Sequence, residues 1–401
     1  MKYISIAELG RVVTGKTPPT NHSEYFGGEI PFITPSDIET YDKRYVEYTE
    51  RTLTTQGASS IKGCLLPPKS ICFVCIGSTI GKSCMTKCVS YTNQQINSII
   101  PNQSCIGDYL FYLLKYIKGY FQSVGGGTGA GKGIVNKTLF QKTKVEIHND
   151  LNVQQRIASI LSAYDDLIEN NNKRIKILEQ MAENLYKEWF VRFRFPGHEQ
   201  AEFENGIPKG WQICRMSEFC YVTDGTHDTP TPVDVGVPLI TGKCICSGTI
   251  DFSLAYNISH TAHEKIKKRS GLTSGDILFS NIGTVGNCCI VDYDREFSVK
   301  NVIIFKPETR NQTEYLYYWM TNAAMQEIFS AQTNGASQQF VGLTFMRNFK
   351  ILVPTEEILT AFADKISIFT EHKRNLLKCN LNLTKQRDLF LPRLMSGKLE
   401  V

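Results

Sequence analysis

The chain is written twice. The run Asp108-Tyr109-Leu110-Phe111-Tyr112-Leu113-Leu114 returns as Glu314-Tyr315-Leu316-Tyr317-Tyr318-Trp319-Met320, 206 positions later (314 − 108). The same offset carries Ile134 to Phe340, Leu139 to Phe345, Val145 to Ile351 and Ile147 to Val353. Nearer the N-terminus, Ile30-Pro31-Phe32-Ile33-Thr34 returns as Val237-Pro238-Leu239-Ile240-Thr241, an offset of 207 (237 − 30). The apolar pattern persists while most polar residues change, which suggests one kind of task performed on two different targets. Solenoid units run to about 20–50 residues, whereas each copy here is half of a 401-residue chain and large enough for its own core.

Each copy opens with strands and closes with a long helix. Ser70–Ile76 and Ile96–Ile100 are short β-rich runs bounded by Pro and Gly, and Asp276–Ser280 and Asn301–Phe305 are their counterparts. Amphipathic helices are expected at 107–121 and 313–330, so each copy is an α+β globule of ordinary domain size.

A heptad frame with Leu161 at position a places Ile157, Leu161, Tyr164, Ile168, Asn171, Ile175, Leu178, Ala182, Leu185 and Trp189 on one seam. In the second copy the frame gives Leu359, Phe362, Ile366, Phe369, Lys373, Leu376, Asn380, Leu383, Arg387 and Phe390, with Pro392 expected to end the helix. A seam of this length calls for a partner, and the other copy's helix is the obvious one. Asn171 and Asn380 either set register within it or face a solvated gap. The organisation that follows is a first globule at 1–150, a long helix at 151–193, a Gly- and Pro-rich linker at 194–211, a second globule at 212–355, and a second long helix with the C-terminal tail at 356–401.

Composition excludes more than it identifies. The net charge of +5 (44 Lys+Arg against 39 Asp+Glu) is too mild to mark a nucleic-acid binder by itself. No apolar run approaches the roughly 18 residues of a membrane span, and Met1–Glu8 contains no signal-like apolar region, so no membrane association is expected. Thirteen cysteines, an odd number set mostly within apolar runs, argue against a disulfide framework and for a reducing, cytoplasmic location.

Two stretches approach a phosphate-binding loop. Gly126–Lys132 has the right spacing but is followed by Gly133 where Ser or Thr would hold Mg²⁺; Ile76–Ser83 ends correctly but has Ile76 in place of the first glycine. The second copy has Asn281-Ile282-Gly283-Thr284-Val285-Gly286-Asn287, with neither lysine nor terminal hydroxyl, so the shared feature reads as a structural turn. Cys72, Cys75, Cys84 and Cys88 have zinc-like spacing, yet their counterparts are Leu278, Asn281, Ile290 and Asp294, and no metal is expected. No nucleophile, base and orienting acid recur together, so no catalytic residue is assigned.

What remains is polar loop chemistry at matching places. The first copy offers Lys16, Thr17, Ser36, Lys82, Ser83, Asn93, Gln94, Gln95 and Lys132; the second offers Thr226, His227, Lys243, Lys300, Asn301, Ser337, Gln338 and Gln339. These side-chain types contact phosphates and read base edges, which makes them candidate DNA-binding residues. On the helices, Leu167, Ile177, Met181, Leu377 and Leu381 lie off the seam and are candidates for contact with partner proteins. A nucleotide-hydrolysing enzyme built on the glycine-rich loops, or a duplicated protein-binding scaffold without DNA contact, stand as alternatives.

Several motifs together resemble the specificity subunits of type I restriction-modification systems. They are Glu8-Leu9-Gly10 through Gly15-Lys16-Thr17-Pro18, Gly206-Ile207-Pro208-Lys209-Gly210-Trp211, Gln154-Gln155 with Ile157, Leu161 and Asp165, and Leu391-Pro392-Arg393-Leu394-Met395-Ser396-Gly397-Lys398-Leu399. The second copy departs from the pattern, with Thr360-Ala361-Phe362 in place of Gln154-Gln155-Arg156. The resemblance implies two α+β target-recognition domains separated by two long helices that pair antiparallel, in a prokaryotic protein without its own catalysis. It further implies that each domain reads part of a split site in double-stranded DNA. Two methyltransferase subunits would dock on the helices and carry S-adenosylmethionine, joined by restriction subunits that use ATP and Mg²⁺.

Overall fold

In a computed structural model, residues 1–38, 43–46, 48–125, 133–246, 248–333 and 340–401 are described. They form two compact units, Met1–Arg174 with Asn375–Val401, and Ile175–Arg374.

The duplication is carried through to sheet topology. In the first unit a four-stranded antiparallel sheet has the order Gly10–Thr14, Ile96–Pro101, Ile71–Val74, Ser83–Met85. In the second the order is Tyr221–Asp224, Val302–Lys306, Ile277–Ser280, Cys288–Ile290. Each has a three-stranded sheet with one parallel pairing: Phe26–Ile33 beside Tyr91–Thr92, and Val237–Thr241 beside Ser298–Lys300. Each is closed by a two-stranded ribbon, Lys2–Ser5 with Lys144–Ile147 and Gln212–Arg215 with Lys350–Val353. The central strands are buried on both faces, which is why Ile71–Val74 and Ile277–Ser280 read as continuous rather than alternating apolar runs.

The expected helices at 107–121 and 313–330 are each split in two: Gly107–Tyr116 and Lys118–Gly125, then Arg310–Thr321 and Ala323–Thr333. Asn322 makes the second break, its extended backbone (ψ 152°) interrupting the helix while its side chain accepts from Met325 N at 3.2 Å. The glycine-bounded turns at 77–81 and 283–286 are built alike, while Gly126–Lys132 lies outside the described residues. Gly77, Gly81, Gly283 and Gly286 all have φ between 76° and 99°, and Gly81 N and Gly286 N reach back to Val74 O and Ser280 O at 3.1 and 3.0 Å.

The long helices are Leu151–Tyr186, continued by a π turn at Lys187–Val191, and Glu356–Met395. The first contains neither Gly nor Pro, so nothing in it interrupts the backbone ladder. Pro392 does not end the second helix, contrary to the sequence expectation. It lies within the last turn, where its missing N–H removes a single bond, and the helix closes at Gly397 (φ 69°), whose N–H reaches Leu394 O at 3.3 Å.

Within each unit the helices run antiparallel. In the first, Tyr164 packs near Phe390, Asp165 pairs with Arg387, and Asn171 bonds Asn380, so residue numbers rise on one helix as they fall on the other. In the second, Lys373 pairs with Glu179 at 2.7 Å and Phe362 packs on Tyr186 and Trp189. The asparagines set register: Asn171 Nδ2 donates to Asn380 Oδ1 at 2.9 Å, and Asn380 Nδ2 donates to Asn172 Oδ1 at 2.8 Å. Towards the other end of this pair, Ile157, Leu161, Leu394 and Met395 are almost fully buried in the core of the first unit, each worth roughly 1.5–3 kcal/mol of apolar burial.

Arg387 occupies a seam position and is 1% exposed. Its Nη1 donates to Asp165 Oδ1 at 2.6 Å, and the other carboxylate oxygen accepts from Tyr112 Oη at 2.5 Å. Burial first, and then the adjacent Asp165 charge, push the Tyr112 phenol upward, so it stays protonated and donates. The offset of 205 that relates the two seams puts Ala182 opposite Arg387 in the duplication and Thr370 opposite Asp165, so this charged network exists in one copy only. Gln154 has a structural task as well: buried, it accepts from Ile106 N at 2.9 Å and donates to His148 O at 2.8 Å, tying the long helix to the start of Gly107–Tyr116.

Candidate nucleic-acid interface

Two glycines define equivalent loops. Leaving the strand Gly10–Thr14, Gly15 N donates to Ile96 O at 3.1 Å and Lys16 N to Thr92 O at 2.9 Å. Leaving Tyr221–Asp224, Gly225 N donates to Val302 O at 2.9 Å and Thr226 N to Val299 O at 3.0 Å. A Cβ at Gly15 would stand 2.2 Å from Asn93 O, and one at Gly225 2.3 Å from Val299 O, so only glycine lets each loop cross that closely. The parallel register pairs Ile33 with Thr92 and Ile240 with Val299. Counted from that pairing, Asn93 corresponds to Lys300 and Gln94 to Asn301; because Ile96 and Val302 are the next equivalent pair, the second copy is one residue shorter here and Asn301 stands where the first has Gln94 and Gln95. Lys16 corresponds to Thr226 and Thr17 to His227.

These correspondences bring sequence-distant polar groups into two comparable clusters. In the first unit Thr17 Oγ1 donates to Gln94 Oε1 at 2.8 Å, and Asn93 Oδ1 accepts from Gln95 N at 3.1 Å. Lys16 and Gln94 are exposed. Asn93 N donates to Ile33 O at 3.2 Å, which sets this cluster beside the turn carrying exposed Ser36, whose hydroxyl lies 2.8 Å from Thr34 Oγ1. In the second unit His227 Nδ1 lies 2.9 Å from Asn301 Oδ1 and its Nε2 lies 2.7 Å from Asp224 Oδ2. Arg269 Nη2 donates to Asp224 Oδ1 at 2.8 Å, and Lys300 Nζ donates to Thr229 Oγ1. Lys243 is exposed in the turn that follows Val237–Thr241.

Three assignments change. Ser83 is 2% exposed in the strand pairing with Phe73, and Thr226 is 5% exposed with its hydroxyl accepting from Asp228 N at 3.1 Å; neither side chain is open to a duplex. Lys82 is half-buried, with its ammonium on Ile38 O at 2.7 Å, where it anchors the 34–38 turn. Lys132, Ser337, Gln338 and Gln339 lie outside the described residues. Arg269 was not singled out from the sequence: it meets Asp224, the first residue of the polar loop 224–230, only through the fold, 45 residues away, and the first copy has Thr14 in place of Asp224.

On the helices Leu167, Ile177, Met181, Leu377 and Leu381 are all exposed, from 38% to 59%. Ile160, Ile368 and Leu389 on the same two helices are exposed as well. Among the described residues no group of three or more His, Cys, Asp or Glu could hold a metal ion, and no helix is long and apolar enough to cross a membrane. All thirteen cysteines are free thiols.

The architecture is thus a duplicated α+β module, each copy completed by a long helix and presenting its own polar cluster at the same place in the fold. The chain belongs to the type I restriction-modification specificity-subunit family: the type I restriction modification DNA specificity domain matches residues 1–180 and again residues 208–382. It is 29% identical over 411 residues to the type I restriction enzyme MjaIX specificity subunit of Methanocaldococcus jannaschii, covering 99% of this chain and 93% of that protein. To the HindI specificity subunit of Haemophilus influenzae it is 31% identical over 177 residues, 43% of this chain and 37% of that one. The crystal structure of the type I restriction-modification S subunit from M. genitalium shares the fold, with a TM-score of 0.58 at 13% identity over 98% of this chain and 96% of that one.

Proposed function

We propose that each globule reads one part of a bipartite, asymmetric site in double-stranded DNA, and that the paired helices set the spacer between the parts. The observation that carries this is the pair of structurally equivalent clusters, Thr17 with Gln94 and His227 with Asn301, that differ in chemistry on one backbone. Amide, hydroxyl and cationic side chains are those that read base edges and hold phosphates. Exposed Lys16 and Lys243 flank the clusters as phosphate contacts. The ruler reading draws on helix length: 36 and 40 residues at about 1.5 Å each span roughly 54–60 Å. At about 3.4 Å per base pair that is roughly 16–18 base pairs, room for two short half-sites and an unread spacer.

The exposed apolar residues on the helices dock two methyltransferase subunits, which carry S-adenosylmethionine and flip out an adenine for methylation. Restriction subunits that use ATP and Mg²⁺ join the same assembly, which works on DNA in the prokaryotic cytoplasm. The chain itself catalyses nothing. The test exchanges residues 1–150 for the equivalent domain of a related specificity subunit and maps modified adenines in DNA exposed to the assembled complex. One half of the site changes and the other persists; a change in both halves together would refute independent reading.

A further inference from the structure

His227 is held at both ring nitrogens, and the way it is held determines what Asn301 offers to a base. Nε2 lies 2.7 Å from Asp224 Oδ2, an oxygen of a carboxylate that also accepts from Arg269. An ionised carboxylate only accepts, so Nε2 carries a hydrogen whatever the charge of the ring. Nδ1, facing the Asn301 amide at 2.9 Å, is then a donor in the imidazolium and an acceptor in the neutral ring. The Asn301 amide must complement it. Against the charged ring it gives Oδ1 inward and turns its NH₂ outward; against the neutral ring it gives NH₂ inward and turns Oδ1 outward. The backbone does not follow this flip, because Asn301 is fixed at φ 51° with its N–H on Thr226 O at 3.1 Å.

Resting on the DNA-reading function above, we propose that His227 is a positioning residue for base specificity in the second domain, setting whether Asn301 presents a donor or an acceptor to the duplex. An amide free at both ends makes the two-bond contact that selects adenine. Asn301, with one end taken, reads a single polarity instead. With Oδ1 on the histidine, as the structure has it, the outward NH₂ selects a base acceptor in the major groove, such as N7 or O6 of guanine or O4 of thymine. With the ring neutral, the outward Oδ1 selects a base amino group, N6 of adenine or N4 of cytosine. The charged groups around the ring are Asp224 and Asp228 from its own strand and loop, Arg269 from the helix His260–Ser270, and Lys300 beside Asn301. In the first domain Thr17 stands in place of His227. A hydroxyl rotates to donate or accept, so no proton count binds Gln94 to one orientation.

The test uses the full chain assembled with its methyltransferase subunits and a library of duplexes randomised across the site, sequenced after selection for binding. Selections run near pH 6 and near pH 8.5, on either side of the range in which histidine changes charge. For the wild type, one position in one half of the motif changes its preferred base between the two conditions, by about tenfold in relative enrichment, a step of about 1.4 kcal/mol. His227→Thr removes that pH dependence, Asn301→Asp moves the same position to a base amino group at both pH values, and Gln94→Glu alters only the other half. A wild-type motif identical at both pH values overturns the proposal. So does an unchanged motif in His227→Thr or Asn301→Asp complexes that still bind. Failure of the wild type to select any two-part motif would instead refute the DNA-reading function on which the proposal rests.

Discussion

Replacing Arg387 with alanine isolates a charged pair buried between the helices. The side chains of Arg387 and Asp165 are 1% and 5% exposed, at 2.6 Å from each other, with Tyr112 on the second carboxylate oxygen. Removing the guanidinium leaves Asp165 buried and charged with its main partner gone, a change that costs about 3–5 kcal/mol in comparable buried pairs. The loss of the arginine stem, which is itself packed, adds to this. Against the roughly 5–15 kcal/mol that holds an ordinary domain together, that is a large fraction. Replacing both partners by apolar residues, Arg387→Met with Asp165→Leu, leaves no buried charge at the pair; Asp388, which also accepts from Arg387 at 2.8 and 3.0 Å, is 53% exposed and is solvated instead. Such replacements are commonly neutral or stabilising by about 1–4 kcal/mol. Tyr112 then lacks an acceptor, at about 1 kcal/mol, and Tyr112→Phe removes that cost. Urea unfolding followed by far-UV circular dichroism measures the series; tryptophan fluorescence is the wrong probe, because Trp189, Trp211 and Trp319 all belong to the second unit. A loss under about 1 kcal/mol for Arg387→Ala, or one no larger than that of the double variant, would refute the reasoning.

Three further outcomes follow from the same physical arguments. Burial pushes the Glu314 carboxyl up to about 7 from 4.5, against the opposing pull of Arg310 and Arg374, and its Oε2 has no hydrogen-bond partner. The folded chain therefore holds a proton there that the unfolded chain has released, and stability falls as pH rises from 4.5 to about 7. Relative to Glu314→Gln, the wild type should lose on the order of 3 kcal/mol across that window and no more above it, measured by denaturant titration at a series of pH values; a difference independent of pH would count against the burial argument. Leu167→Asp and Leu377→Asp, at positions 50% and 38% exposed, should keep the fold and lose methyltransferase-subunit binding by co-purification, and retained assembly in both would move the docking surface elsewhere. One heptad added to both helices lengthens them by about 10 Å, so the spacer between modified half-sites should grow by roughly three base pairs with the half-site sequences unchanged.

Much of the architecture is legible in the sequence because it follows from periodicity, a local property. The offsets of 206 and 207 return as two sheets of identical strand order, and the heptad frame returns as an antiparallel pair with Asn171 against Asn380. The sequence left Asn171 and Asn380 between a register pair and a solvated gap; the structure decided for the pair. Pro392 misled because its cost depends on position: it removes one backbone bond, to the carbonyl of Asp388, and with only three helical residues beyond it the helix runs to its end regardless. The candidate site was legible only in part. Residue types marked the loops, but burial withdrew Ser83 and Thr226 and tethered Lys82, since a hydroxyl or an ammonium looks the same in sequence whether it faces water or a carbonyl. Tertiary structure alone decided that Thr17 meets Gln94 and His227 meets Asn301, because those pairs form where a glycine lets one strand cross another. The same holds for Arg269 on Asp224 and Arg387 on Asp165, 45 and 222 residues apart. A local pattern records the period of a strand or helix; it holds no record of which charge the packing will set opposite another.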